Sequence, residues 1–159
     1  MTTGYSVSQK ALHWAAVVLF ALQWWTSRAV LRTHQPHLLG HSVDPSDPLL
    51  HKPHIYGGIA MLALVACRLM LRMRRCVPPL PLTVPHWAAA TARWTHVTMY
   101  AMLIGLTATG LITPYVWFGM GIAHRALVYG LYLLIGAHIL AVIWHDAFRR
   151  VGILRRMTR

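Results

Sequence analysis

The sequence predicts an all-α protein, a transmembrane four-helix bundle with both termini cytoplasmic. Three observations carry that reading. Of 159 residues, 57% are apolar and only 11% charged, against roughly 25% charged in an ordinary soluble domain. The apolar residues gather into four stretches, each long enough to cross the hydrocarbon core of a bilayer. The basic residues gather at the ends of those stretches, mostly on one side. The length fits a single membrane-embedded domain spanning residues 1–159.

The first stretch runs from about Ala11 to Ala29, with Ser8 as its expected N-cap and the pair Trp24 and Trp25 suited to an interfacial belt. Its length, its tryptophan pair and the lack of a small-residue cleavage pattern favour an uncleaved span over a signal peptide. Residues 30–53 are polar and punctuated by Pro36, Pro45, Pro48 and Pro53, which predicts an extramembrane loop. A second stretch, Ile55 to Met73, leads into Arg74, Arg75 and the helix-breaking run CVPPLPLTVP. The third extends from about Trp94 to Val116; its Gly110 and Pro114 are tolerable in a membrane helix. WFGMG then makes a short turn into a fourth stretch, about Ala126 to Trp144, so the third and fourth helices are expected as antiparallel neighbours. The tail RRVGILRRMTR is expected to leave the membrane.

Four spans place both termini on one side. Lys10, Arg68, Arg72, Arg74, Arg75, Arg93, Arg149, Arg150, Arg155, Arg156 and Arg159 lie at or beyond that side, whereas Arg28, Arg32, Lys52 and Arg125 lie at the other. The positive-inside rule makes the richer side cytoplasmic. The net charge of +12 is thereby read as a topology signal, and nucleic acid is not expected as a partner. Hydrolytic chemistry finds no support either. There is no acidic pair and no nucleophile motif, and Cys67 and Cys76 form no metal-binding pattern.

Eleven histidines in so apolar a chain are the anomaly, because an ionisable or coordinating group at membrane depth is expensive and by default functional. On the expected topology they form two layers. His13, His96 and His138 lie towards the cytoplasmic side; His54 and His124 begin the second and fourth helices on the outer side. His124 and His138 are 14 residues apart, which is about 21 Å of rise and roughly 40° from the same helix face. One helix face thus carries two histidines at opposite depths. Two haems explain this, each held by one imidazole from the fourth helix and one from another helix. Zinc fits less well, since its structural sites usually carry cysteine. Taken singly, each histidine reads more readily as a hydrogen bond across helices; the conjunction of two in register, each with a partner at matching depth, favours haem. His51 competes with His54, and His13 with His96 as the partner of His138; spacing settles neither choice.

Taken together, YSVSQKALHW around His13, H-x3-G-x9-R (His54, Gly58, Arg68), RWTHVTMY around His96, the spacing of His124 and His138, and the closing WHDAFR resemble the bacterial cytochrome b561 family of small di-haem membrane proteins. The resemblance covers nearly the whole chain. It implies two b haems with His13 and His138 as axial ligands of one iron and His54 and His124 as those of the other. It also implies a bacterial inner membrane location and electron exchange with ubiquinone. Two departures stand out: a longer first outer loop, rich in His and Pro, and a shorter connection between the third and fourth helices. The family includes superoxide oxidases, and similar cytochromes serve as membrane subunits of dehydrogenases.

The function expected from these residues is transmembrane electron transfer from a periplasmic donor, such as superoxide, to the quinone pool. The alternative is a haem-carrying anchor subunit that relays electrons for a soluble dehydrogenase or hydrogenase, and a third reading is a transporter with interhelical histidines. Bis-histidine ligation leaves no open iron position, which favours outer-sphere electron transfer. Arg68, 14 residues beyond His54, is about 21 Å deeper on the same helix side and is a candidate propionate contact, with simple snorkelling as its alternative. His145, with Asp146 and Arg149, is a candidate quinone pocket, and His96 a candidate quinone or propionate contact; Tyr100 reads as packing. The loop residues His34, His37, His41 and His51 are a weak candidate metal cluster. Arg28, Arg32, Lys52 and Arg125 are candidates for focusing an anion towards the outer layer.

Overall fold

The computed structural model describes residues 4–38, 44–75, 78, 83–115 and 119–158. Its described residues form five helices and no strand: α1 (Val7–Leu38), α2 (Ser46–Arg74), α3 (His86–Tyr115), α4 (Met120–Ala147) and the short α5 (Arg155–Thr158). The first four are long and apolar enough to cross a membrane, over Val7–Thr33, Leu49–Arg74, His86–Thr113 and Met120–Ala147. In lipid a helix satisfies its own backbone polar groups, so length and apolarity suffice to make each run helical.

Every helix outruns the apolar stretch that announced it. α1 continues to Leu38 and α2 starts at Ser46, so the segment expected as a loop over 30–53 is largely two helix ends. Pro48 falls in the first turn of α2, where its missing N–H has no intrahelical partner to lose. Pro53 lies inside the helix and removes one ladder bond. Tertiary contacts offset that loss: the Arg32 guanidinium reaches back from α1 and grips Asp47 of α2, with Nη2–Oδ1 at 2.7 Å and Nε–Oδ2 at 3.0 Å. Asp47 is buried by this contact. The N-cap also differs from expectation. Ser6, not Ser8, caps α1: its hydroxyl accepts the Gln9 amide at 3.3 Å while the Gln9 side chain accepts the Ser6 amide at 3.0 Å, a reciprocal capping box.

The helices pack as α1 on α2, α2 on α3 and α3 on α4, while α4 meets α1 edge-on through Tyr132 and Phe20, whose rings are 5.8 Å apart. Small side chains set the α3–α4 approach. A methyl group added at Gly105 would touch Leu127, one at Gly121 would touch Thr113, and Gly130 receives the end of Met102. Close backbone approach through small residues is how membrane helices gain packing without a hydrophobic driving force between them. Among the described residues few apolar side chains are buried, namely Ala29, Met61, Val65, Ala88 and Leu131, and large apolar residues such as Leu133, Leu140, Trp87 and Trp94 point outwards, as a lipid solvent requires.

The tail does not simply leave the bundle. Asp146 at the end of α4 accepts the backbone N–H groups of Ile153 (2.5 Å) and Leu154 (2.9 Å). The chain turns there through left-handed conformations at Arg150 (φ 51°) and Gly152 (φ 70°). The Trp14 indole N–H then donates to the Met157 carbonyl at 3.0 Å. α5 is thereby tied across the end of α1.

Candidate haem-binding layers

The layer remote from the termini is built by α2 and α4, each histidine steadied by the neighbouring helix. His54 and His124 stand close enough for their charges to act on one another. On the α2 side, the His54 Nδ1 lies 3.1 Å from Thr26 Oγ1 of α1. The Thr26 hydroxyl hydrogen is directed at the Leu22 carbonyl (2.9 Å), with the Gln23 carbonyl at 3.2 Å. Its oxygen is therefore the acceptor and the His54 Nδ1–H the donor. On the α4 side, the His124 Nδ1–H donates to the Leu106 carbonyl of α3 at 2.9 Å, with Thr109 Oγ1 at 3.3 Å. Each imidazole thus carries its proton on Nδ1 and presents the Nε2 lone pair, the tautomer a metal ligand needs.

Gly110 makes room for that arrangement. A Cβ there would stand 2.9 Å from His124 Cε1 and 3.1 Å from its Nδ1, closer than real side chains approach. On the other helix pair, Gly57 admits the Gln23 side chain, whose oxygen would lie 2.7 Å from an added Cβ; the Gln23 amide donates to the His54 carbonyl at 2.9 Å.

The layer near the termini draws on α1, α2, α3 and α4. The His96 and His138 rings meet edge to face at 5.2 Å. His13 lies within electrostatic reach of His138, His96 and Arg68, and its ring packs edge-on against Trp14 at 5.4 Å. The His96 Nδ1–H donates to the Ala92 carbonyl one turn back, at 2.6 Å. Of the two sequence candidates for the partner of His138, His96 touches its ring and His13 lies within electrostatic reach of it. Arg68 and Arg72 line a cleft beside this cluster together with His96, Tyr100, Gln9 and Tyr5. One terminal nitrogen of Arg68, Nη1, is buried without a hydrogen-bond partner among the described residues, so an anionic group entering this layer would meet an unsatisfied donor.

His145 is in the last turn of α4, its Nδ1 buried and likewise without a hydrogen-bond partner among the described residues. The pocket it was expected to share with Asp146 is altered, because both Asp146 oxygens already accept tail amides. His51 is half-buried, close to His54. The side chains of His34 and His37, all of His41, and the first residues of the turn expected between the third and fourth helices lie outside the described residues. Among the described residues, no three His, Cys, Asp or Glu side chains gather as a metal cage. Of the cations remote from the termini, Arg32 is committed to Asp47 and Arg28 lies 4.4 Å over the Trp24 ring.

Sequence reasoning missed Thr26, Gln23, the Leu106 carbonyl and the specific use of Gly110. Gln23 and Thr26 were visible as two polar positions three residues apart on one helix face inside an apolar run, an expensive placement at membrane depth. The backbone acceptor left no trace, because any residue supplies a carbonyl.

The donor set suits a haem iron. Two imidazoles on different helices, each hydrogen-bonded through Nδ1 and within electrostatic reach of one another, have the chemistry of bis-histidine ligation. One similar protein is the probable superoxide oxidase CybB of Yersinia pestis, 25% identical over 175 residues that cover 96% of this chain and 94% of that one. The family model for prokaryotic cytochrome b561 matches residues 4–159, and the chain belongs to that family of membrane electron-transfer cytochromes.

Proposed function

We propose that the protein carries electrons across the bacterial inner membrane through two b haems, from a periplasmic donor to the quinone pool, with superoxide as the donor. Membership of a cytochrome b561 family supports haem b, and the similarity to a probable superoxide oxidase supports the donor. The observation that supports the reading is that His54 and His124, within electrostatic reach of one another, are each hydrogen-bonded through Nδ1 to a neighbouring helix, which leaves Nε2 as the ligating atom. These two would hold one haem and His13 with His138 the other. When bound, the haems supply one-electron chemistry at low-spin iron.

The chain's own residues do the rest. The eleven basic side chains on the side of the termini, against four on the other, orient that side to the cytoplasm. Arg68 offers its buried Nη1 to a propionate of the haem on that side, and its charge favours the reduced state there. Arg72, His96 and Tyr100 line the adjoining cleft, where their N–H and O–H groups can orient the carbonyl oxygens of a quinone, and His145 lies at the same end of the bundle. The overall reaction balances as two superoxide anions losing one electron each to give two dioxygen molecules, while one quinone takes up two electrons and two cytoplasmic protons to give quinol.

The test is a pyridine haemochrome assay with haem counted per chain on detergent-purified protein, followed by quinone reduction driven by a superoxide source. Two low-spin b haems and superoxide-dependent quinol formation by the isolated chain are expected. An absence of haem after mild purification would overturn the reading. Two haems without quinol formation would leave a relay and remove the proposed donor and acceptor.

A further inference from the structure

We propose that Thr26 of α1 is a positioning residue that sets the tautomer and ring orientation of His54, and through them the reduction potential of the haem held by His54 and His124. The proposal rests on the haem reading above and assigns a role within it to a residue that carries no ligand atom for iron.

A threonine in a membrane helix commonly hydrogen-bonds its own backbone one turn back and does nothing more. Thr26 does this, through the Leu22 carbonyl at 2.9 Å, and that bond has a consequence for its neighbour. With its only hydrogen committed, the hydroxyl presents just its lone pairs to the His54 Nδ1, 3.1 Å away. Thr26 is 4% exposed, so its hydroxyl has no water as a substitute partner. Donating to the Leu22 carbonyl also polarises the hydroxyl and improves it as an acceptor.

The grip on His54 is double. Three residues before Thr26 on the same face of α1, Gln23 donates to the His54 backbone carbonyl at 2.9 Å, and Gly57 leaves the space its side chain occupies. One turn of α1 thus fixes both the backbone and the ring of His54. The other member of the pair is treated differently, since the nearer partner of the His124 Nδ1–H is a main-chain carbonyl at 2.9 Å that no substitution at that position removes, with the Thr109 hydroxyl farther off at 3.3 Å. Thr26 is therefore a place where the potential of this haem can be altered by a side chain without touching a ligand. Donating Nδ1–H makes an imidazole more electron-rich and a better ligand to ferric iron. Loss of the acceptor weakens that effect and raises the potential.

The test uses the full chain in detergent. Wild type, Thr26→Val and Thr26→Ser are compared for haem per chain and by potentiometric titration with optical and electron paramagnetic resonance detection. Valine keeps the branched shape and removes the acceptor; serine keeps the acceptor. In Thr26→Val, one of the two titrating components is expected to become easier to reduce, by about tenfold in the ratio of reduced to oxidised haem at fixed ambient potential (~59 mV for one electron). The other component stays in place and Thr26→Ser restores the first. Selective loss of one haem in Thr26→Val, rescued in Thr26→Ser, gives the same support. Two haems with neither component moved, both components moved together, or equal damage in the two variants would overturn the proposal while leaving the haem reading intact. A wild-type chain without haem would remove that reading first, and the haem count is therefore made before the titrations.

Discussion

Replacing Gly110 by alanine tests whether α3 holds the His124 ring where a ligand must be. The added Cβ would lie 2.9 Å from Cε1 and 3.1 Å from Nδ1, whereas carbon atoms rest at about 3.5–4.0 Å. The imidazole must therefore withdraw by about 0.5–1 Å. Its Nδ1–H is committed to the Leu106 carbonyl at 2.9 Å, so withdrawal weakens that bond. A buried donor left without its partner costs about 1–3 kcal/mol, or roughly 5- to 150-fold in haem affinity at about 1.4 kcal/mol per tenfold. Haem titration of the purified apoprotein, read by absorbance, is the assay. One of two haems is expected to bind in that range more weakly, and the other unchanged. Gly121→Ala is the control, because its Cβ would meet only Thr113 at 3.7 Å, an ordinary contact. Full, tight binding of two haems by Gly110→Ala, with wild-type spectra, would refute the reasoning that Gly110 makes room for a ligand ring.

The remaining predictions concern the side of the termini and the outer loop. His138→Ala should leave one haem per chain by pyridine haemochrome; retention of both would sink the ligand assignment. Arg68→Gln removes a charge beside that layer and should make its haem harder to reduce, by on the order of tenfold at fixed potential (~59 mV) in a redox titration. Asp146→Ala removes both acceptors for the Ile153 and Leu154 amides; at about 1.5–3 kcal/mol for hydrogen bonds to a charged group, tryptic cleavage after Arg149 and Arg150 should be at least tenfold faster with haem content unchanged. Asp44 lies outside the membrane-spanning segments. Its carboxyl is held below the usual carboxylate range by the Ser46 hydroxyl and then by the Ser46 amide. Because its folded pKa is depressed, its contribution to the start of α2 is present above the unfolded pKa of about 3.9 and is lost as pH falls through the lower folded value. Ser46→Ala should move the Asp44 titration, followed by infrared spectroscopy, back towards the ordinary value.

The four spans were legible because the bilayer reads composition, and the composition of each run leaves few alternatives to a helix. The helix ends were not, because the polar residues that look like loop also continue helices beyond the apolar zone. Arg32 and Asp47 show this: apart they read as scattered loop charges, yet their pairing fastens two helix ends together. The histidines stood out as a set of candidates, and His54 lies within electrostatic reach of His124, and His13 of His138 and Arg68. What holds those rings was not legible. The acceptor for His124 is a main-chain carbonyl, and the acceptor for His54 is a threonine made useful by a second bond to its own helix. Folding the tail back likewise depends on one carboxylate turned towards two amides.

These supports share a pattern. α1 steadies His54 on α2, and α3 steadies His124 on α4, so each histidine of the pair is fixed by the helix it packs against most closely, before the two meet. A ring fixed from behind loses little further freedom when it takes an iron, and precise placement on rigid elements is what a binding site needs. α3 carries no histidine of the proposed ligand set, yet it supplies the Leu106 carbonyl, the space at Gly110 and, at its other end, His96 against His138. Its contribution is therefore position rather than ligation. Substitutions along α3 that alter backbone approach should change haem affinity and potential, whereas those on its exposed face, such as at Trp94 or Val97, face lipid and should change neither.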